Sequence, residues 1–223
     1  MLHSDTLKFL RALKKNNNKP WFDAHRKAYE TAKADFTAFI QAVINQHSKH
    51  DPSIKNLTAK DCLFRINRDI RFSKDKSPYK TNFGASINKG GRKAMHSAGY
   101  YFHLEPGQSF MGGGLYIPGP DELKKVRQEI DYNLADFKKI IGAKKFTAIY
   151  KSLDNSPEFL LSRVPKGYDP TNPAAEYLKL KSFIAMTAVS DADLQSRQLV
   201  RKTVTAFSAL LPLIDFINTA AGE

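Results

Sequence analysis

The spacing of apolar positions at the start of the chain is typical of helices. Three leucines recur at helical spacing in DTLKFLRALKKNNN, and the Asn run ends that segment. A second, long helix is predicted from Pro20 to the Asp51-Pro52 pair. Its apolar face consists of residues that repeat every seven positions and three neighbours that widen the stripe: Phe22, Tyr29, Phe36, Val43, Phe39, Ile40 and Ile44.

From Asp61 the pattern changes to the period of a strand. Apolar and polar side chains alternate over residues 62–72, which predicts an extended segment there. Three aromatic-rich strand candidates follow: TNFGASIN, GYYFHLEPG and SFMGGGLYIPG. Nine of the 12 glycines lie between Gly84 and Gly119, so we predict an antiparallel meander with turns between the strands. The MGGGL run is interpreted as a bulged strand to which another backbone comes close.

The remainder of the chain returns to helical patterns with one more strand. PDELKKVRQEIDYN, FKKIIG and KKFTAIYKSL are predicted helices, SRVPKGYDPTNP a loop, and SFIAMTAVS a strand. A helix should begin at Asp191, with Pro212 starting or kinking a final one. No repeat or flexible linker is visible. We predict a single α+β domain over residues 1–223: a mostly antiparallel, curved sheet covered by helices, with long N-terminal and C-terminal helices.

Composition adds a strong and uneven positive charge. The 223 residues include 42% hydrophobic residues and 15 Phe, enough for a sizeable core, and carry a formal net charge of +13. The first 120 residues hold 20 basic and 9 acidic side chains, so +11 of the +13 lies there. This asymmetry suggests an anionic partner, while a solvated basic surface is the simpler alternative.

Several classes of protein find no support in the sequence. The single Cys62 cannot form an internal disulfide. The N-terminus does not resemble a signal peptide, and no apolar run approaches the roughly 20 residues of a membrane span. We therefore predict a cytoplasmic protein that does not enter a membrane. GLYIPGPD has the glycine spacing of a phosphate-binding loop, but Pro120 occupies the Lys position. No cofactor is predicted.

The histidines give weak signals. His47 and His50 are spaced H-x-x-H beside Asp51, but no zinc-binding pattern accompanies them, and we predict no metal site. His96 and His103 flank a predicted strand. Either could be a general acid or base, although a lone His on a strand is more often a packed or surface residue.

The strongest chemical signal is the Arg-rich segment, defined here as residues 65–80. It contains six cationic side chains and two Asp. In an extended chain Arg68 would point with the apolar residues, while Arg65, Asp69 and Arg71 would point with the polar ones. Guanidinium groups grip phosphate or carboxylate groups in pairs of hydrogen bonds. Equally, a buried network of Arg68 with Asp could hold the sheet to the helices.

The same residues resemble a known family. RINRDIRFSKDKSPY is similar to the R-x-x-R-D-x-R-F…K-x-x-Y pattern of bacterial conserved hypothetical proteins, the domain of unknown function 2461 family. The likeness extends from FLRALKKNNNKPWFDAHRKAYE through GYYFHLEPGQSFMGGGLYIP to VPKGYDPTNPAAEYLKLKSF. The resemblance implies a common α+β fold and a common site around the Arg motif. It implies no established substrate, cofactor or reaction.

Three functional hypotheses follow from these observations. The leading one is binding of a small anionic ligand, bearing phosphate or carboxylate, and the protein could be an enzyme acting on an acidic metabolite. The second is a nucleic-acid-binding protein that uses its basic N-terminal half. The third is a non-catalytic interaction protein with a structural Arg network. The predicted ligand-binding residues are Arg65, Arg68, Arg71, Lys76, Tyr79 and Lys80, and the candidates for proton transfer are Asp69, Tyr79 and His103.

Overall fold

The computed structural model describes residues 1–94 and 96–222. Over these residues the chain forms ten helices and one four-stranded antiparallel sheet. The predicted α+β class is therefore confirmed.

The N-terminal part of the chain forms helices whose ends are encoded locally. They are α1 Ser4–Lys15, α2 Lys19–Ala24, α3 Arg26–His47 and α4 Ala59–Cys62. The Asn18 side chain accepts a hydrogen bond from the backbone N–H of Trp21, and Pro20 occupies the first turn of α2. The prediction of one helix from Pro20 is wrong. His25 leaves helical geometry, with φ −109° and ψ 18°, so the chain forms two helices there.

The apolar face predicted for the long helix lies in the core. Each of its residues is at most 9% exposed: Phe22, Tyr29, Phe36, Phe39, Ile40, Val43 and Ile44. The rings of Phe36 and Phe39 lie 6.3 and 4.8 Å from the ring of Phe102, between centroids. Helix α3 therefore packs on one face of the sheet through aromatic contacts.

The sheet has its strands in sequence order, as a meander requires. They are β1 Phe83–Ile87, β2 Gly99–Leu104, β3 Phe110–Leu115 and β4 Phe183–Ala188, in the order β1-β2-β3-β4. The glycine run in β3 allows close backbone approach. Gly114 has φ +116°, and a Cβ there would lie 2.0 Å from the carbonyl oxygen of Phe183. The expectation of a close backbone neighbour at this run is confirmed.

The extended strand predicted over residues 62–72 does not form. Cys62 ends helix α4, and the segment that follows makes only isolated bridges, Leu63 with Ala85 and Asn67 with Tyr79. Between these two bridges, the three residues 64–66 on one side oppose the five residues 80–84 on the other, which interrupts a regular ladder. The alternation of burial nevertheless holds as far as Ile70 and fails at Phe72, which is 95% exposed.

The later helices match the predicted segments except in the C-terminal region and at one short helix, Ala175–Leu178, for which no prediction was made. They are α5 Pro120–Tyr132, α6 Leu134–Ile141, α7 Lys144–Tyr150, α8 Ala175–Leu178, α9 Asp191–Leu194 and α10 Leu199–Ala221. The helix predicted from Asp191 is split into α9 and α10, and α10 continues through Pro212. An interior Pro costs a helix roughly 3 kcal/mol, and burial of Leu210, Leu213 and Ile214 offsets that cost.

Helix α10 is also long and apolar enough to cross a membrane when judged by length and composition alone, with a mean hydropathy of 1.5 over its most apolar window. The sequence analysis did not anticipate such a segment. Core helices of soluble proteins pass the same test, and Phe207, Leu210 and Ile217 of α10 are fully buried.

The chain is organised as two compact units, each built from three segments. The first comprises Met1–Arg92, Tyr101–Met111 and Ala188–Thr205, and its core includes the aromatic face of α3. The second comprises Lys93–Tyr100, Gly112–Thr187 and the segment from Ala206 onward. Its core includes Tyr100, whose ring stacks on Phe207 at 4.9 Å. A single domain over residues 1–223 stays a prediction.

Candidate functional site

Strand β2 places three polar side chains on the face of the sheet opposite Phe102. Alternation along a strand separates Tyr101 and His103 from the fully buried Phe102, and Glu105 follows in the same register. The side chains of His103 and Glu105 are 17% and 13% exposed. This face of the first unit is therefore partly buried and rich in groups that can exchange protons.

Both ring nitrogens of His103 and one face of its ring make contacts with neighbouring side chains. Its Nε2 lies 3.3 Å from Oε2 of Glu105, and its Nδ1 lies 3.2 Å from the hydroxyl of Tyr101 and 3.4 Å from Nδ2 of Asn82. The ring stacks on Phe110 at 4.7 Å with an interplanar angle of 10°. A neutral imidazole that donates from Nε2 to Glu105 keeps Nδ1 as the acceptor for Tyr101 or Asn82.

Burial favours the neutral ring of His103, and hydrogen bonds favour the ionised form of Glu105. Burial lowers the pKa of His103, and Glu105 opposes this shift only in part. For Glu105, burial raises the pKa, but hydrogen bonds from Lys14 and His103 outweigh it and the net pKa is lowered. Lys14 Nζ and Thr81 Oγ1 lie 3.1 and 3.2 Å from Glu105 Oε1. A neutral imidazole oriented by a fixed carboxylate is suited to accept a proton.

A glycine in the neighbouring strand makes room for Tyr101. A Cβ at Gly84 would lie 2.6 Å from the hydroxyl oxygen of Tyr101. A side chain at position 84 would therefore push this hydroxyl away from His103.

One cation of the Arg-rich segment lies near this face, and a second cation affects its pKa. Lys80 Nζ sits over the ring of Phe64, 5.3 Å from its centroid, and the Phe64 ring lies 6.4 Å from that of Tyr101. Burial lowers the pKa of Lys80, and the nearby charge of Arg65 lowers it further. Among residues 1–94 and 96–222, neither Lys80 nor Arg65 forms an ion pair with a carboxylate. We call Arg65, Lys80, Asn82, Tyr101, His103 and Glu105 the His103 site.

Arg68 lies at the centre of a loop. Its side chain is 26% exposed, donates to the hydroxyl oxygens of Ser77 and Ser73 at 2.5 and 3.3 Å, and pairs with Asp75. Its hydrogen bond lowers the pKa of the Asp75 carboxyl to about 2. These contacts hold residues 68–77 together, as expected for a structural Arg.

The other predicted ligand-binding residues of the loop contact their own chain neighbours. Arg71 donates from Nε and Nη2 to the two carboxylate oxygens of Asp69, at 3.0 and 2.7 Å, and both side chains are largely exposed. Lys76 Nζ donates to the carbonyl oxygen of Ile70 at 3.0 Å. Phe72 lies between these groups in sequence with its ring in solvent, and the Arg71 guanidinium is 5.8 Å from its centroid.

Tyr79 is packed in the core of the first unit. It is 7% exposed, and its ring stacks on Phe22 at 4.0 Å with an interplanar angle of 15°. The side chain of Asn17 bonds both the N–H and the C=O of Tyr79, at 3.1 and 2.9 Å. Of the predicted site residues, Lys80 is connected to His103 through the rings of Phe64 and Tyr101, and Arg65 is close enough to Lys80 to lower its pKa. The structure places Arg68, Arg71 and Lys76 in the loop of residues 68–77, and Tyr79 in the core of the first unit.

The remaining candidates occupy ordinary surroundings. Within the described ranges no group of three or more His, Cys, Asp and Glu side chains is arranged to hold a metal ion, and the expectation of no metal site stays a prediction. His47 is fully buried, and burial lowers its pKa to about 4. Cys62 is buried, and burial raises its pKa to about 12, so its thiol is not activated. The His96 side chain is 71% exposed, 3.3 Å from Glu122.

The sequence analysis missed Tyr101, Glu105 and Asn82. A signal for the first two was present, because the segment YFHLE places Tyr101, His103 and Glu105 at alternate positions of a predicted strand. Asn82 and Lys14 carried no such signal, since both come from other segments of the chain and reach the site only after folding.

The fold and the site define an α+β protein that carries a cationic and titratable cluster on an antiparallel sheet. The chain belongs to a family of conserved hypothetical proteins, DUF2461, whose family model matches residues 5–216. The family expected from the sequence is thereby confirmed. No curated protein and no solved structure matches the chain.

Proposed function

We propose that the protein binds a small anionic molecule, bearing phosphate or carboxylate, at the His103 site. One observation carries the proposal: the charge of Arg65 adds to the lowering of the pKa of the half-buried Lys80, and neither cation has a carboxylate of the described residues within ion-pair distance, although Arg65 also lies in the field of Asp69. A half-buried Lys beside an exposed Arg of the same charge costs free energy, and an anion placed between them would relieve that cost. A solvated patch of lysines would not produce the burial that lowers the pKa of Lys80.

The neighbouring groups suit proton transfer on the bound molecule. His103 is neutral, and its Nδ1 is turned towards the Tyr101 hydroxyl. It can take a proton from Tyr101, or from a ligand hydroxyl that displaces Tyr101, and Glu105 then stabilises the imidazolium. We therefore propose an acid–base reaction on a phosphorylated or carboxylated metabolite, in the cytoplasm. Asp69 and Tyr79 have no part in this proposal, because they lie in the loop and in the core.

The test is a local one that uses inorganic phosphate as the probe. The ring signals of His103 are followed by NMR in a phosphate series with chloride at matched ionic strength, and His103→Gln assigns them. In the wild type the signals should shift saturably, because an anion beside the ring favours its protonated form. Lys80→Gln should remove most of the shift.

The matched control is Lys55→Gln, which removes the same charge from an exposed residue of the same unit. It should leave the phosphate response unchanged. An equal response in wild type and Lys80→Gln, or no saturable shift in the wild type, contradicts the proposed site.

A second candidate function is binding of single-stranded nucleic acid, and one observation favours it. Phe72 is 95% exposed at the tip of a loop that also presents Arg71 and Lys74. Exposed aromatic rings beside cations form stacking platforms for unpaired bases. The internal bonds of Arg68 hold this loop in shape without using Phe72. The Arg68 network also supports part of the third hypothesis, in which the Arg motif has a structural role.

A further inference from the structure

The second unit contains a buried cation that has no carboxylate partner. Arg127 lies on helix α5 and is 9% exposed. Its Nη2 donates to the backbone carbonyl of Leu180 at 2.8 Å. Within residues 1–94 and 96–222 its Nε has no hydrogen-bond partner, and the residue forms no ion pair.

Such a guanidinium is costly to bury. A single carbonyl compensates only part of the hydration that the charge loses, and an unsatisfied N–H adds to the cost. Burial lowers the pKa of Arg127, yet an Arg side chain stays protonated at neutral pH. The positive charge is therefore present in the folded protein.

The carboxylate best placed in sequence to neutralise Arg127 is used elsewhere. Asp131 follows four residues later on the same helix, the spacing at which side chains meet. Its Oδ1 accepts a hydrogen bond from Asn172 Nδ2 at 2.6 Å. Asn172 Oδ1 in turn accepts from the backbone N–H of Ala174 at 2.7 Å. Asp131 thus fixes the loop of residues 162–174 against α5 and leaves the Arg127 charge without a partner.

The same loop places the hydroxyl of Tyr168 close enough to Arg127 for the Arg127 charge to affect its pKa. Tyr168 is half-buried, and burial raises its pKa, with Asp131 adding to the shift and Arg127 opposing it. Its hydroxyl is therefore a hydrogen-bond donor at neutral pH. The nearest loop carboxylate, Asp169, accepts hydrogen bonds from the N–H and hydroxyl of Thr171, at 2.7 and 2.6 Å, so it closes a turn.

We propose that Arg127 and Tyr168 form a binding site for a small oxyanion, either a carboxylate or a phosphate group, between helix α5 and the loop of residues 162–174. The Nε–H of Arg127, which has no hydrogen-bond partner among the described residues, and the hydroxyl of Tyr168 supply the two donors, and the Asp131–Asn172 bond ties the loop to α5. This site is separate from the His103 site and does not depend on its function. A bound water would satisfy the same N–H without neutralising the charge.

The experiment reads the Arg127 side chain directly. Nε–H signals of arginine are recorded by NMR on the complete chain, and the signal lost in Arg127→Lys is assigned to Arg127. Inorganic phosphate and acetate are then titrated separately, each against chloride at matched ionic strength. The Arg127 signal should shift saturably with at least one of them, and the better probe identifies the oxyanion class. Tyr168→Phe should weaken that binding about fivefold, as expected for one lost hydrogen bond.

Two controls separate this site from its surroundings and from the proposed function. Arg163→Lys changes an exposed Arg of the same loop and should leave the Arg127 response intact. Lys80→Gln should also leave it intact, so the two sites can fail independently. An Arg127 signal that does not move with either anion, or moves only in proportion to concentration, overturns the proposal and leaves water as the occupant. The wild type alone gives that answer, even if a variant fails to fold.

Discussion

At the residue scale, burial sets the acid–base properties of two residues that the sequence singles out as possible reactive groups. His47 and Cys62 are both fully buried, and burial moves their pKa values in opposite directions, to about 4 and about 12. In each case the neutral form is favoured, because an ion loses its hydration inside the protein. The two residues are therefore part of the hydrophobic core and not reactive centres.

The pKa of His47 predicts a loss of stability in acid. Its folded-state value of about 4 lies below the ordinary value of 6.5, so the unfolded chain binds the proton more readily. The stabilisation is complete above about pH 6.5 and is lost as the pH falls towards 4, by up to about 3 kcal/mol. His50 and Asp51 are the charged groups next to it, and they shift its pKa in opposite directions.

Urea unfolding at several pH values checks this expectation. His47→Leu should flatten the dependence of unfolding free energy on pH below 6.5, because a neutral side chain has no proton to gain. His96→Gln, a change at an exposed His, should leave the dependence as in the wild type. Parallel curves for wild type and His47→Leu would show that the His47 ring is not the group that titrates.

At the element scale, the Arg-rich segment combines two roles in one stretch of chain. Residues 68–77 form a loop held from inside by Arg68, while Arg65 and Lys80 at its ends lie beside the sheet. The bridge between Asn67 and Tyr79 closes the base of the loop. The structure thus separates a structural Arg from two cations that form no ion pair with the described carboxylates.

Substitutions of Arg68 and Arg71 should differ in their effect on stability, because Arg68 holds the loop together and Arg71 forms only a surface ion pair. Arg68→Gln should lower the free energy of unfolding by roughly 1–3 kcal/mol, because it removes a charged donor from Ser73, Ser77 and Asp75 together. Arg71→Gln should change it by less than about 0.5 kcal/mol, since its pair with Asp69 is in solvent. Equal effects in urea titrations would argue against this division of roles.

At the scale of the whole molecule, the net charge of +13 favours association with anions, and most of this charge lies in the first 120 residues. Charge of this kind acts over the surface and does not identify a partner. Two local features are the candidate places for an anionic partner: the cations of the His103 site, which form no ion pair with the described residues, and the exposed Phe72 loop.

The nucleic-acid candidate makes a prediction that charge alone does not. Binding of single-stranded oligonucleotides should weaken with salt, by about 0.7 log units per log unit of salt for each phosphate contacted. Phe72→Ala should lower the affinity roughly tenfold with an unchanged salt slope, because stacking carries no charge. Tyr132→Ala, at a ring 72% exposed in the other unit, is the control. Fluorescence anisotropy at low salt that detects no binding excludes this candidate.

Local patterns predicted most of the fold and only part of the site. The seven-residue repeat from Phe22 to Val43 identified a buried face, since such spacing has few other outcomes in a soluble helix. The alternation at residues 62–72 was misread as a strand, because irregular extended chain gives the same pattern when one side is packed. Tyr101 and Glu105 were recoverable from alternation in β2, whereas Arg127 looked like any polar residue of an amphipathic helix.

The sequence by itself determined the α+β class, the meander of the first three strands and the positive charge, because these follow from local periodicity and composition, and the resemblance of its Arg motif indicated the family. Only the tertiary structure decided which cations have partners. Arg68 and Arg71 found theirs within the loop, while Arg65, Lys80 and Arg127 form no ion pair with the described residues. The reason is physical: the free energy of a charge depends on its burial and on neighbours that are distant in the chain, and neither is fixed until the chain has folded.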